Sequence, residues 1–426
     1  MSYMHPNRRD VLRALAASGP LAMLAGRAKA SANERLNIGV IGTSGRALDN
    51  IAGVEGENIV AVCDIEEGLL GQAGARFPKA AKFSDFRKLI EHKGIDAVVV
   101  STADHTHAPA SAMALRMGKH VYCEKPLTHS VYEARVVADL AKKAKVATQM
   151  GTQIHAQDNY RRVVELIQSN AIGPVREVHV FCGKSWSGGE RPTDMPPVPK
   201  GLNWDLWVGP APMRPYNATY LPANWRRWWD FGNGTLGDMA CHYMDLPFWA
   251  LDLRHPTTIE TQGPPVHPET TPSWMVVKYE FPARGDKPPV KFSWYDGEKR
   301  PEILDEKGIK GWGDGVLFIG DKGMLIADYD RRVLLPKEDF RDFKAPEPTI
   351  ATSIGHHNEW IAACKDGRPT TCNFDYSGAL TEAVLLGNVA YRVGQKITWD
   401  GAKMVAVGCP EADRYLRREY RPGWTL

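Results

Sequence analysis

The chain has 426 residues, 43% hydrophobic and 24% charged, which is the composition of folded domains rather than disorder; its length asks for two or three of them. Its 53 basic and 50 acidic residues leave a net charge of +3, which excludes a dedicated nucleic-acid binder. The excess is local: Arg8, Arg9, Arg13, Arg27 and Lys29 face only Asp10 within residues 1–30, so the body is near neutral and suits small partners.

In chain order, residues 1–30 read as a targeting signal. Asn7–Arg13 holds a twin-arginine box, residues 14–25 are uncharged and rich in Ala and Leu, and Ala28-Lys29-Ala30 offers a cleavage site. Such a stretch is too short to cross a bilayer core of ~30 Å. A protein exported by the twin-arginine route is expected, periplasmic or extracellular, folded before transport, with no membrane anchor in the mature form. The seven cysteines are scattered, odd in number and without C-x-x-C, so they read as core thiols rather than a disulfide framework.

Residues 31–150 alternate short β-branched runs with helical patterns. Strands are predicted at 36–41, 59–63, 97–101, 120–123 and 147–150, and helices at 46–55, 66–76, 84–92, 108–117 and 130–144. That alternation predicts an α/β fold with a parallel, doubly wound sheet. All 13 tryptophans lie beyond residue 150, where a second α/β domain, 151–426, is expected. Its predicted elements are a helix at 157–169, a strand at 175–182, a Pro/Gly/Trp-rich excursion at 187–222 and an apolar helix at 235–252. Strands at 274–281, 289–295, 316–319 and 324–328 follow, forming a mainly antiparallel open sheet, with closing helices at 354–366 and 376–393.

Four blocks carry chemistry. The first strand runs into Gly42-Thr43-Ser44-Gly45-Arg46, where glycines let backbone N–H groups approach a pyrophosphate at a helix N-terminus. Ser44 stands where the dinucleotide fingerprint has glycine, and Gly45 partly compensates. Asp64 ends the second strand, where a carboxylate binds both ribose hydroxyls and repels a 2′-phosphate, so the cofactor expected is NAD rather than NADP. Ser101 ends the next predicted strand and His105 and His107 follow it, at the carboxyl edge where open sheets bind ligands. Glu124-Lys125-Pro126 ends a further strand; Pro126 permits a cis bond, and a lysine beside an acid suits proton transfer. In the fourth block, Gly237-Asp238-Met239-Ala240-Cys241-His242, Asp238 and His242 share one helix face. A hydrogen-bonded core pair is the competing reading for these two. No H-x-x-x-H or Cys cluster accompanies them, so no metal is expected.

In this order the blocks resemble the Gfo/Idh/MocA oxidoreductase family, over essentially all of residues 35–395. The resemblance implies a Rossmann domain, then an α/β domain whose open sheet makes subunit contacts in a homo-oligomer (dimer or tetramer). It implies a carbohydrate substrate, a catalytic role for Lys125, and Asp238 and His242 at the substrate. His155 and Tyr160 follow the domain crossover and are candidate substrate contacts. One of His356 and His357 either reaches the cleft or caps its helix, and tryptophans of 186–229 either face sugar or pack.

The chemistry expected is hydride transfer from a sugar or glycoside hydroxyl, with either His242 or Lys125 as the base and Asp238 orienting His242 or binding a neighbouring hydroxyl. An exported enzyme has no pool of free NAD, so the cofactor should be held tightly and recycled within turnover. Two alternatives stand beside this. One is NAD-dependent glycoside cleavage by transient oxidation, commonly at C3, and elimination; the other is a non-catalytic exported sugar-binding protein.

Overall fold

Two β-sheets organise the computed structural model, which describes residues 35–426. The expected signal segment lies outside the described residues. The first sheet contains β1 (Asn37–Ile41), β2 (Asn58–Cys63), β3 (Ala81–Phe83), β4 (Ala97–Val100), β5 (His120–Cys123) and β6 (Thr148–Met150). All its pairs are parallel, in the order β3-β2-β1-β4-β5-β6. The order reverses between β1 and β4, and a ligand crevice opens at such a reversal. Every residue of β4 is buried, as expected of a strand covered on both faces. β3 escaped the sequence reading because it is a three-residue edge strand with no buried position.

Helices α1 (Arg46–Val54), α2 (Glu67–Arg76), α3 (Phe86–Glu91), α4 (Asp104–Arg116) and α5 (Val131–Ala144) alternate with these strands. α4 starts four residues before the predicted 108, which places Pro109 inside it. Pro109 has no N–H to give the carbonyl of His105. Arg418, from the far end of the chain, donates to that oxygen instead. The same guanidinium meets buried Glu133 at 2.7 Å, and Tyr420 donates to Glu133 at 2.6 Å. Glu133 also closes the capping box that starts α5. The closing segment of the chain is thereby fastened to the first domain.

The second sheet has nine strands: β7 (Val175–Cys182), β8 (Thr258–Gln262), β9 (Val276–Phe281), β10 (Val290–Asp296), β11 (Gly315–Gly320), β12 (Gly323–Ala327), β13 (Arg332–Leu335), β14 (Ile397–Asp400) and β15 (Val405–Val407). Their order is β13-β12-β11-β7-β10-β9-β8-β14-β15, antiparallel except where β7 meets β10. Val277, Tyr279, Phe292 and Trp294 point into the core, while Lys278, Glu280 and Lys291 point outward. β8, β13, β14 and β15 were not predicted; they are short and lack a long apolar run.

The inner face of this sheet is met by helices α8 (Gly234–Tyr243) and α9 (Asp245–Leu251), and α6 (Asp158–Gln168) packs on α9. The sequence predicts one helix over 235–252, but the structure divides it at Met244. Pro247 explains the break, since it cannot donate to the carbonyl of Tyr243. Between β7 and α8 the excursion contains a short helix, α7 (Trp204–Val208). Around it Trp204, Trp207, Tyr220, Trp225, Trp228 and Phe231 form one aromatic cluster, packed on Ile65 and Ala103 of the first domain. Helices α10 (His356–Asp366) and α11 (Phe374–Val393) return to the first domain, α10 against α1 and α11 against α5 and β6, while α11 also packs on α8. Among the described residues, no helix is long and apolar enough to cross a membrane.

The Arg418 anchor predicts a stability effect. Arg418→Ala leaves the Glu133 carboxylate buried without its cation, and urea unfolding should show a loss on the order of 3 kcal/mol. A loss below ~1 kcal/mol would mean that Tyr420 and the α5 N-terminus suffice.

Candidate active site

The glycine turn is dictated by its surroundings. Gly42 has φ +85°, and a Cβ there would lie 2.3 Å from the carbonyl oxygen of Ser101. Gly45 has φ +57° at the start of α1, and no side chain caps that helix. The exposed helix start therefore presents backbone N–H groups to an anion, as a pyrophosphate site requires. Beside it, Asp64 Oδ2 accepts from the Thr43 N–H at 2.9 Å and from its hydroxyl at 2.7 Å, and Oδ1 accepts from the Glu66 N–H at 3.2 Å. The carboxylate is thus fixed at the end of β2, where a ribose lies in a dinucleotide fold. These residues fit the cofactor that the sequence leads one to expect.

Past the turn, Glu124 at the end of β5 gathers α1. It accepts from Asn50 Nδ2 at 2.9 Å and Arg46 Nε at 3.3 Å. Asn50 also donates to the Ser101 hydroxyl at 2.9 Å and accepts from His357 Nε2 at 2.9 Å. His357 stacks on Tyr122, so α10 is clamped to the first domain. His356 turns away and contacts the Met150 carbonyl at 2.9 Å.

Lys125 follows, joined to Pro126 by a cis bond. Its Nζ lies 2.6 Å from Asp238 Oδ1 and 2.9 Å from the Asp238 carbonyl. Both side chains are about nine-tenths buried. Arg226 Nε donates to the same Oδ1 at 2.8 Å, and Trp186 Nε1 donates to Oδ2 at 2.8 Å. Burial alone would raise the Asp238 carboxyl, but Lys125 and Arg226 outweigh it and hold the group well below the usual carboxylate range. Asp238 is an anion with three donors around it.

That geometry corrects one expectation: Asp238 and His242 share a helix face, yet the carboxylate is taken up by Lys125, Arg226 and Trp186, and no bond to His242 forms. His242 is buried, with Nδ1 unpartnered. Desolvation, then the charge of Lys125, push its basicity well down, so its ring is neutral. Tyr160 donates to the His242 carbonyl at 3.0 Å and is fully buried behind α8. His155 is likewise buried, bonded to Asp245 at 2.9 Å and stacked on Trp249. Tyr160 thus braces α8, and His155 braces α9.

The two histidines after β4 are engaged with backbone. His105 contacts the carbonyls of Trp207 at 2.8 Å and Phe231 at 3.3 Å, and burial pushes its pKa down to about 3. His107 contacts the carbonyls of Pro126 at 2.7 Å and Thr102 at 3.0 Å. They tie the loop after β4 to the aromatic cluster and to the Lys125-Pro126 turn.

Three residues of the site were not singled out from the sequence. Arg226 and Trp186 are the missed partners of Asp238; an arginine inside the aromatic run Trp225–Trp229 was the available signal. Asp104 is the third. It is buried beside Asn233, 3.3 Å away, and burial together with nearby Asp238 raises its carboxyl to about 7 against the pull of Arg226. His155, Asp245 and Cys372 also cluster. Asp245 is already bonded by His155 and Tyr376, and burial raises the Cys372 thiol, so the set is hydrogen-bonded rather than poised for a cation.

A switch-point glycine turn, a fixed ribose carboxylate and a second-domain helix facing them define a two-domain dinucleotide-binding protein. Residues 36–152 match the oxidoreductase family's NAD-binding Rossmann fold, and residues 158–288 match its C-terminal alpha/beta domain. The chain belongs to the Gfo/Idh/MocA oxidoreductase family. It is 32% identical over 148 residues to inositol 2-dehydrogenase of Salmonella typhimurium, covering 34% of this chain and 43% of that protein. It is 26% identical over 185 residues to myo-inositol 2-dehydrogenase of Thermotoga maritima, covering 42% and 54%. The chain spans about half the length of the curated relatives it matches. Among solved structures, the WlbA dehydrogenase from Bordetella pertussis, in complex with NADH and UDP-GlcNAcA, aligns at TM-score 0.61 and 18% identity over 86% of this chain and 99% of that one. Levoglucosan dehydrogenase, in complex with NADH and levoglucosan, aligns at TM-score 0.56 and 17% identity over 85% and 99%. At these identities the likeness establishes the fold.

Asp104 gives a pH prediction. Its folded pKa lies above the unfolded value of about 3.9, so its contribution to stability is complete below pH ~4 and lost as pH rises to about 7. Asp104→Asn keeps a neutral side chain at every pH. The melting temperature of the variant should therefore gain on the wild type between pH ~4 and 7 and hold its lead above; a difference independent of pH would place an ionised Asp104 in the folded protein.

Proposed function

We propose that the protein is an NAD-dependent oxidoreductase acting on a hydroxyl of a sugar or glycoside, with His242 as proton acceptor and Lys125 as the charged hydrogen-bond donor. The observation that carries this reading is the Lys125–Asp238 contact. It binds an ammonium to a carboxylate held anionic, and it leaves a neutral imidazole one helical turn away on the same face.

When bound, the nicotinamide supplies the hydride acceptor. Lys125 has three N–H donors, and the carbonyl and carboxylate of Asp238 take two. The third is left for the oxygen of the reacting hydroxyl, where it stabilises developing negative charge. Neutral His242 has a ring lone pair to accept the hydroxyl proton. Arg226 helps keep Asp238 anionic, and with Trp186 it holds the carboxylate in place, so that Lys125 is aimed. A carbohydrate is supported by the hydroxyl-rich rings named for several relatives and by the near-neutral body of the chain. The open, polar-edged face of the nine-stranded sheet is the surface proposed for a second copy. Export through the twin-arginine box remains part of the proposal.

In single-turnover reduction of bound NAD, Lys125→Ala and His242→Ala should each slow hydride transfer by ~10²-fold or more while NAD content is kept. Lys125→Ala should also relieve the charge on His242, moving the acid limb of the rate profile to higher pH. Unchanged hydride transfer together with a lowered melting point would make this constellation structural. For export, Arg8→Lys combined with Arg9→Lys should hold the precursor in the cytoplasm; normal export of that double variant would point to another route.

A further inference from the structure

The carboxyl ends of β1, β2 and β4 open into a cavity of about 80 Å³ that holds Gly42, Asp64 and Thr102 on one side. In a doubly wound sheet this is where the adenosine half of a dinucleotide lies. The opposite walls come from elsewhere in the chain: Leu206 and Trp207 of α7, and Trp424.

The last residues are pinned across the opening from both sides. On the first domain, the Trp424 ring packs against Phe86 at 5.7 Å and lies under the Arg87 guanidinium at 4.4 Å. Arg87 also donates to the Gly423 carbonyl at 3.1 Å, and Arg116 of α4 to the Leu426 carbonyl at 2.9 Å. On the second domain, Arg421 donates to the carbonyls of Gly209 at 2.9 Å and Asp205 at 2.8 Å, and it pairs with the Asp205 carboxylate. Residues 421–426 thus bridge α3 and α4 to the end of α7.

The contacts differ in cost. The Asp205 carboxylate that Arg421 pairs with faces solvent, whereas Trp424 is buried. Lifting the segment breaks the bonds of Arg87, Arg116 and Arg421 and the contacts of the Trp424 ring with Phe86 and Arg87 but leaves both sheets paired, which is the profile of local opening rather than global unfolding. At about 80 Å³ the cavity is also well below the ~300–1,000 Å³ of clefts that take up small molecules. A purine enters such a space only when a wall moves, and of the two opposite walls, α7 and residues 421–426, the latter lies in no helix or strand.

We infer that residues 421–426 are a gate over the adenine end of the NAD site, latched by Trp424, and that dinucleotide enters and leaves only when this segment lifts. The inference rests on the oxidoreductase reading and deepens it. A gated cofactor stays through successive turnovers, so hydride taken from one substrate must be returned to a second substrate or to the same molecule before the cofactor is exchanged.

The test is release of isotopically labelled NAD from loaded full-length protein into excess unlabelled NAD, followed by mass spectrometry. Trp424→Ala and Arg421→Ala should each release NAD at least ~10-fold faster than wild type, an effect on dissociation as expected when a packed contact is removed. Trp424→Phe, which keeps an aromatic wall, should stay within about threefold. Thermal melts of the same samples show whether the variants are folded; if Trp424→Ala is not, Arg421→Ala decides alone. A wild type that holds NAD and releases it as fast as the folded variants overturns the gate while leaving the oxidoreductase reading intact. A wild type that takes up no NAD on incubation overturns that reading, and the gate with it.

Discussion

The contact between Lys125 and Asp238 is the constraint on which the rest of the site depends. One partner stands at the carboxyl end of a strand in the first domain, the other on a buried helix of the second. An ion pair so deeply buried is tolerated only when its remaining donors and acceptors are satisfied. Arg226 and Trp186 supply what Lys125 leaves open on the carboxylate, and both come from the tryptophan-rich excursion between β7 and α8. The excursion therefore belongs to the site through its polar atoms, while its rings mostly pack.

That packing joins the two halves of the chain. The aromatic cluster around α7 rests on Ile65 and Ala103, and His105 ties its backbone to the start of α4. Pro109 forces α4 to give up one internal bond, and Arg418 takes the freed carbonyl while neutralising Glu133. A helix defect, a capping acid and the last residues of the chain are thus solved by one guanidinium. The same end of the chain continues over the mouth of the cavity at β1 and β2, so the anchor that stabilises the fold also sets the position of the tail.

Most of the first domain was legible because its signals are local. Alternating β-branched runs and helical patterns mark β1, β2, β4, β5 and β6, and a strand buried on both faces is written in its own residues, as in Ala97–Val100. The glycine turn was legible for a similar reason: only glycine tolerates the close carbonyl of Ser101. In the second domain, β8 and the strands after β12 carry short or polar segments whose partners are distant, and nothing local specifies their pairing.

The sequence by itself determined the class of fold, the dinucleotide turn with Asp64, and the presence of Lys125, Asp238 and His242 in blocks that belong together. Tertiary structure alone decided how those three are wired. Helical spacing placed Asp238 and His242 on one face, but the carboxylate turned to the cations that long-range packing brought to it. It also decided that Tyr160 meets α8 and His155 meets α9, that Asp104 sits where its charge is disfavoured, and that Trp424 closes a cavity begun at Gly42. The physical reason is the same in each case. Periodicity and turn chemistry are properties of a few neighbouring residues, whereas burial, charge pairing and hydrogen-bond satisfaction depend on what arrives from other elements of the chain.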